Sequence, residues 1–192
     1  MKKIKFLAMM LAGAAMLFGA TACGDNDEPF GGSTTSITVN GTTFKVDHAY
    51  WSATYVENEN LESKALKDAD KYTWYGLYLY NCDVNNIKDP WHSITIIYKK
   101  DGLTDLTTFA DGTYKDFEVS LSILTSDDSK DVFYYGFSQE DGNDATLTVS
   151  HDGGLSLNVS AMKYEDENGA NTYPGAAFSY KGSVKQMPTT GK

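Results

Sequence analysis

The chain has 192 residues, of which 26 are acidic and 16 are basic, and its formal net charge at pH 7 is −10. Every basic residue is a lysine, so the chain has no arginine to form bidentate contacts with phosphate. An acidic surface repels nucleic acid and anionic lipid headgroups, and we therefore expect neither to be a partner.

The first 22 residues have the layout of a secretory signal peptide. Lys2, Lys3 and Lys5 give it a positively charged start, residues 6–18 form an uncharged apolar run, and residues 19–22 are small. The apolar run is shorter than the roughly 20 residues that a transmembrane helix needs. We therefore expect this segment to be removed on export.

Cys23 directly follows the small residues. The order Ala20-Thr21-Ala22-Cys23 resembles the lipobox of bacterial lipoproteins, with Ala20 where the common lipobox has leucine. The resemblance implies that Cys23 carries a lipid and is the first residue of the mature protein, so that the membrane is a partner through this lipid. Cys82 then has no cysteine with which to form a disulfide within the chain.

Residues 23–36 form a polar tether behind the lipid. Asp25, Asp27 and Glu28 follow the cysteine, and residues 31–36 contain only Gly, Ser and Thr, a composition typical of flexible linkers. An acidic tract in this position resembles the export signal of Bacteroidetes-type lipoproteins, which implies display on the outer face of the outer membrane. The alternative is a solvated spacer on a lipoprotein that faces the periplasm.

Residues 37–192 are expected to form a single β domain that begins with a hairpin. Two strand-forming runs flank Asn40-Gly41. This pair is the strongest short-range hairpin signal, because both residues accept the positive φ angles of a type I′ turn. We expect the second arm to run on to residue 55.

Alternation of apolar and polar residues, interrupted by turn residues, predicts further strands along the domain. The runs lie at residues 72–80, 92–99, 114–124, 131–138, 145–150, 155–161 and 176–185. Residues 57–71 are polar and predict a loop with at most a short helix. With about nine strands and little helix, the sequence predicts an all-β fold, either a single antiparallel β-sandwich or a flattened up-and-down barrel.

The mature region as a whole resembles small lipoproteins of unknown function from gut Bacteroidetes. The shared features are the polar tether at residues 23–36, the early hairpin at Asn40-Gly41 and a closing strand interrupted by glycine at residues 178–184. The resemblance implies a β-rich fold and an exported, membrane-anchored location. It implies no catalytic residue.

No segment after Cys23 carries a motif for a reaction, a metal or a cofactor. The acidic loops at residues 127–131, 140–144 and 165–169 do not match the calcium-loop pattern, and no two histidines have a zinc-binding spacing. A nucleophile elbow, a phosphate-binding loop and a family signature around Cys82 are also missing. We expect a protein that has no enzymatic activity, metal or cofactor.

Aromatic residues are unusually abundant, with 13 Tyr, 9 Phe and 3 Trp. In the strand at residues 72–80, alternation places Trp74, Tyr78 and Tyr80 on one face, next to Gly76, and leucines on the other. If the leucines face the core, the aromatic rings stay partly exposed and suit stacking on sugar rings. The alternative is a central strand with both faces covered.

The candidate ligand-binding residues are Trp74, Tyr78 and Tyr80, joined by Trp51 or Trp91. Together with the export signals they favour a cell-surface binding module for a glycan or another nutrient. Two alternatives remain, a lipocalin-like carrier of a small apolar ligand and a structural or adhesive subunit.

Overall fold

The computed structural model describes residues 35–57, 71–102, 106–139 and 143–188. The predicted signal peptide, the lipidation site at Cys23 and the tether up to residue 34 lie outside the described residues, as does most of the predicted loop at residues 57–71. Among the described residues the only helical element is a short 3-10 turn at Asp128–Lys130.

The described residues contain twelve strands. They are β1 (Thr35–Val39), β2 (Thr42–Val46), β3 (His48–Glu57), β4 (Lys71–Tyr80), β5 (Trp91–Asp101), β6 (Gly112–Tyr114), β7 (Phe117–Leu124), β8 (Val132–Phe137), β9 (Leu147–Ser150), β10 (Leu155–Asp166), β11 (Thr172–Gly182) and β12 (Lys185–Gln186). The predicted all-β class with little helix is therefore confirmed.

The strands form one large sheet and one small sheet. Strands β1 and β2 pair with each other, and the large sheet has the order β12-β3-β4-β5-β7-β8-β10-β9-β6, with β11 also beside β10. Its pairings are antiparallel except for the short parallel pairing of β12 with β3. The large sheet curls into a half-barrel.

The predicted hairpin at Asn40-Gly41 is present between β1 and β2. Both residues have positive φ angles, 49° and 76°, which are those of a type I′ turn. Strand β1 begins at Thr35, two residues before the predicted start of the domain. The Thr35 hydroxyl donates a hydrogen bond to the carbonyl oxygen of Ser179 at 2.7 Å. The hairpin is thereby joined to β11 of the large sheet.

The predicted continuation of β2 to residue 55 is wrong. Strand β2 ends at Val46, and a separate strand, β3, begins at His48 in the large sheet. Between them, the backbone N–H of Asp47 donates to the carbonyl oxygen of Tyr80 at 2.7 Å. The chain changes sheets at this point, which a continuous strand pattern does not reveal.

The main hydrophobic core lies on one side of the large sheet, which we call the inner face. Strand β4 contributes Tyr75, Leu77 and Leu79, and the small sheet contributes Ile37 and Phe44. All five side chains are at most 2% exposed. The hairpin therefore covers part of the inner face, and burial of this apolar surface is the main stabilising contribution.

A second, smaller cluster lies on the opposite side of β4, which we call the outer face. The outer cluster consists of Tyr50, Tyr78, Tyr80, Val84, Trp91 and Leu124. Val84 belongs to the connection between β4 and β5, which folds back over the sheet. The Tyr50 hydroxyl holds this connection: it donates to Asp83 Oδ1 at 3.2 Å and accepts from the Val84 backbone N–H at 3.3 Å. Strand β4 is thus covered on both faces.

Candidate functional site

The predicted aromatic face of β4 exists, but its rings are buried. Trp74, Tyr78 and Tyr80 are 8%, 3% and 1% exposed, so the structure agrees with the alternative of a central strand covered on both faces and not with partial exposure of these rings. For Tyr78 and Tyr80 the reason is the outer cluster, in which the β4–β5 connection and the neighbouring strands cover this side of β4. The Trp74 ring packs edge-to-face against Tyr72. Ligand contact by these side chains stays a prediction.

The gap that glycine leaves at position 76 is filled by a side chain of the same strand. A Cβ atom at Gly76 would lie 2.5 Å from the Tyr78 hydroxyl oxygen and 2.7 Å from its ring carbon Cζ. The Tyr78 ring therefore lies over Gly76, and its hydroxyl is 3.1 Å from Ser52 Oγ. Burial raises the pKa of Tyr78. The gap does not provide space in which a sugar ring could stack.

The two other candidate tryptophans lie on opposite faces. Trp51 is paired in register with Leu77 and belongs to the main core of the inner face. Trp91 lies on the outer face, with its ring centroid 5.5 Å from that of Tyr80. The structure therefore brings Trp91 together with the predicted aromatic set and separates Trp51 from it.

The accessible part of the outer face lies beyond the outer cluster, on β5, β7 and β8. Here a small recess is lined by residues of all three strands. Two rows of cross-strand neighbours form its floor. One row is Thr95, Ser120 and Tyr135, and the other is Ile97, Glu118 and Phe137. We call these six residues the outer recess.

The outer recess combines a carboxylate with rings and hydroxyl groups. Glu118 is 9% exposed, and its row neighbours are Ile97 and Phe137. Tyr135 and Phe137 are half-buried, so one part of each ring contacts the sheet and another faces solvent. Burial, and to a smaller extent the carboxylate of Glu167, raise the pKa of Tyr135, which keeps its hydroxyl protonated as a hydrogen-bond donor.

Sequence reasoning missed the outer recess because its residues come from three different strands. Alternation in residues 114–124 correctly indicated that Glu118 and Ser120 share a face. It could not show that β7 lies between β5 and β8, which is what places Ile97 and Phe137 on either side of Glu118. The available signal in the sequence is the polar face that Glu118 and Ser120 share on one strand.

Other chemistry is limited among the described residues. They contain no group of three His, Cys, Asp or Glu side chains arranged to hold a metal ion. In the same part of the chain no helix is long and apolar enough to cross a membrane. Cys82 is a free, half-buried cysteine, and burial raises its thiol pKa, which disfavours the reactive thiolate.

Comparison of the chain with protein-family models, with curated proteins and with solved structures finds no match.

Proposed function

We propose that this protein is a lipid-anchored binding module of the bacterial cell surface, and that it binds a neutral carbohydrate in the outer recess. The observation that carries the proposal is the position of Tyr135 and Phe137 beside Glu118, on a part of the sheet that is open to solvent. The proposed site thus moves from the buried face of β4 to the neighbouring strands.

Carbohydrate recognition needs two kinds of contact, and the outer recess supplies both. Aromatic rings offer flat apolar surface for the C–H face of a sugar, and Tyr135 and Phe137 are half-buried rings of this kind. Hydroxyl groups both donate hydrogen bonds to sugar hydroxyls and accept hydrogen bonds from them, and the half-buried Ser120 and Tyr135 supply such groups beside the rings. The net charge of −10 disfavours anionic ligands, so we propose a neutral sugar.

The N-terminal sequence supports the proposed location. The predicted signal peptide at residues 1–22, the predicted lipidation of Cys23 and the acidic tether favour a position outside the inner membrane, where glycans are available as nutrients. The acidic tract favours the outer face of the outer membrane over the periplasmic side. Neither a reaction nor a cofactor is part of the proposal for the outer recess.

Among the alternatives, a carrier with an internal apolar cavity is less well supported. The inner face of the half-barrel is filled by side chains such as Leu77, Ile94 and Ile96, all 0% exposed. A structural or adhesive subunit has no specific observation in its favour. The outer recess, by contrast, is open and chemically mixed.

The test is a screen of the full-length protein against a panel of neutral oligosaccharides, followed by a comparison of two tyrosine variants. Tyr135→Ala should weaken binding of the best oligosaccharide by about 30-fold, the equivalent of one central ring worth roughly 2 kcal/mol. Tyr55→Ala is the matched control, because Tyr55 is 44% exposed and lies on β3, outside the recess. It should bind as the unmodified protein does.

If none of the oligosaccharides binds to the protein, the carbohydrate proposal is refuted. An equal loss of affinity in Tyr55→Ala and Tyr135→Ala would show that binding does not depend on the outer recess.

The anchor is tested separately. Cys23→Ser should abolish incorporation of a labelled fatty acid and leave unprocessed precursor, because the lipid is attached to the Cys23 thiol. Cys82→Ser is the control for the second thiol and should be labelled normally. Fatty-acid incorporation that persists in Cys23→Ser would contradict lipidation at this residue.

A further inference from the structure

Three aromatic side chains, Trp51, Phe109 and His151, are in contact between parts of the chain that belong to opposite ends of the strand order. Strand β3 lies near one end of the strand order and β9 near the other. Phe109, in the segment before β6, lies between them: its ring centroid is 6.3 Å from that of Trp51 on β3 and 3.8 Å from that of His151 after β9. The Phe109 and His151 rings are nearly parallel, at 8°, and Phe109 is 2% exposed. The imidazole therefore rests on a fixed, buried surface.

Both nitrogens of His151 have polar partners. Nδ1 lies 2.5 Å from Asp111 Oδ1, and Nε2 lies 2.7 Å from Thr108 Oγ1. An ionised carboxylate only accepts hydrogen bonds, so Asp111 favours the tautomer with the proton on Nδ1. In that tautomer Nε2 has a lone pair and accepts the hydrogen bond of the Thr108 hydroxyl. The three groups therefore form a chain of hydrogen bonds from the Thr108 hydroxyl to the His151 imidazole and from the imidazole to the Asp111 carboxylate.

We propose that Thr108, His151 and Asp111 form a nucleophilic site that accepts an acyl group from an activated ester. An alcohol becomes a nucleophile when an adjacent base takes its proton and a third group orients that base, and here each element is within hydrogen-bond distance of the next. The site is open to solvent, since the side chains of His151 and Asp111 are 42% and 52% exposed and Thr108 is also exposed.

The proposed reaction has two steps that balance. In the first, Thr108 Oγ forms a bond to the acyl carbon while its proton passes to His151 Nε2. The bond from the acyl carbon to the leaving alcohol oxygen breaks, and the imidazolium returns the proton to that oxygen. In the second, a water oxygen bonds to the acyl carbon while His151 Nε2 takes one of its protons. The bond from the acyl carbon to Thr108 Oγ then breaks, the imidazolium returns the proton to Oγ, and the acyl group leaves as a carboxylic acid. Asp111 keeps Nδ1 protonated and stabilises the imidazolium, without itself reacting.

This inference is independent of the proposed binding function. The nucleophilic site uses the segment before β6 and the turn after β9, whereas the outer recess lies on β5, β7 and β8. No motif indicated it, because Thr108 and His151 are 43 residues apart in the chain. It is also an exception to the expectation, based on motifs, that the protein has no enzymatic activity.

The experiment uses a fluorophosphonate probe on the purified full-length protein, with the modified residue located by peptide mass spectrometry. Attack by Thr108 forms an Oγ–P bond, breaks the P–F bond and releases fluoride, so the expected result is a stable adduct on Thr108. Thr108→Val, which keeps the shape and removes the hydroxyl, should abolish the adduct at this position. Thr108→Ser should retain it.

Two variants test the roles of the other residues. His151→Gln should reduce the labelling rate of Thr108 on the order of 100-fold, the typical contribution of a general base. Asp111→Asn should also reduce it, because an amide no longer fixes the tautomer. Thr113→Val is the matched control: Thr113 is an exposed threonine whose hydroxyl lies 3.4 Å from another threonine, Thr148, and its loss should leave labelling unchanged.

The melting temperature of each variant shows whether a loss of labelling comes from lost chemistry or from unfolding. Thr108→Ser restores the hydroxyl that Thr108→Val lacks, so labelling should return in this variant. An absence of any adduct on Thr108 in the folded unmodified protein would overturn the proposal. So would an adduct that forms at the same rate in folded His151→Gln. Variants that lower the melting temperature while the unmodified protein shows no labelling would identify the three residues as a structural contact only.

Discussion

The inner and outer faces of β4 are both buried, but by different means. The inner face packs into one continuous core that includes the β1–β2 hairpin, and Leu77 and Leu79 are fully buried there. The outer face is covered by a connection of the same chain, residues 81–90, which depends on the contact between Tyr50 and Asp83. Alternation of residue types distinguishes the two faces of a strand, but a face is exposed or buried according to what folds over it.

The largest expected effect is on the inner face. Leu77→Ala should lower the free energy of unfolding by about 4 kcal/mol, because it removes a fully buried side chain from a closed core and leaves a cavity. Denaturant unfolding measures this loss. A value below about 1 kcal/mol would mean that the inner face is not the main core.

A somewhat smaller effect is expected on the outer face. Trp74→Ala should lower the free energy of unfolding by about 3 kcal/mol, because Trp74 is 8% exposed and packs edge-to-face against Tyr72 with the ring centroids 5.6 Å apart. The loss should be smaller than for Leu77 because Trp74 belongs neither to the main core nor to the outer cluster. The same denaturant experiment applies. If the free energy of unfolding of Trp74→Ala equals that of the unmodified protein, the ring does not stabilise the fold. The hypothesis that Trp74 contacts a ligand would then be favoured.

The smallest effect concerns pH and the cover of the outer face. Burial opposes ionisation of Asp83, but hydrogen bonds from Asn85 and Tyr50 outweigh it and hold the pKa of Asp83 below its ordinary value of 3.8. A lowered pKa in the folded state stabilises the fold above pH 3.8, and this contribution is lost as the pH falls through the folded-state pKa.

Tyrosine fluorescence or near-UV circular dichroism measured between pH 6 and pH 2 would follow this change. Asp83→Asn removes the titrating group, so part of the acid-dependent loss of stability should disappear in this variant. Asp128→Asn, on the exposed 3-10 turn, is a control that should retain it. Identical acid profiles for the unmodified protein and Asp83→Asn would mean that this carboxylate does not hold the connection.

Local features of the fold were predictable from the sequence. Asn40-Gly41 predicted the first hairpin because a type I′ turn requires positive φ angles only at its two central residues, and these two residues accept them. The separation of Leu77 and Leu79 from Tyr78 and Tyr80 followed from the period of two along a strand.

Features that depend on distant parts of the chain were not predictable in this way. The change of sheet at Asp47 depends on a hydrogen bond to Tyr80, and the order β5-β7-β8 arises because β6 pairs with β9 instead. The outer recess and the contacts of His151 both result from such long-range pairing. A pattern that is read one segment at a time contains no information about them.

The position of the Tyr78 ring over Gly76 makes these two sites mutually dependent in evolution. A larger residue at position 76 requires the ring at position 78 to leave, and a small residue at position 78 removes the reason for glycine at position 76. Homologous sequences should therefore change at both positions together, with glycine retained wherever an aromatic residue follows two places later. Such paired variation would identify related chains even where overall sequence similarity has been lost.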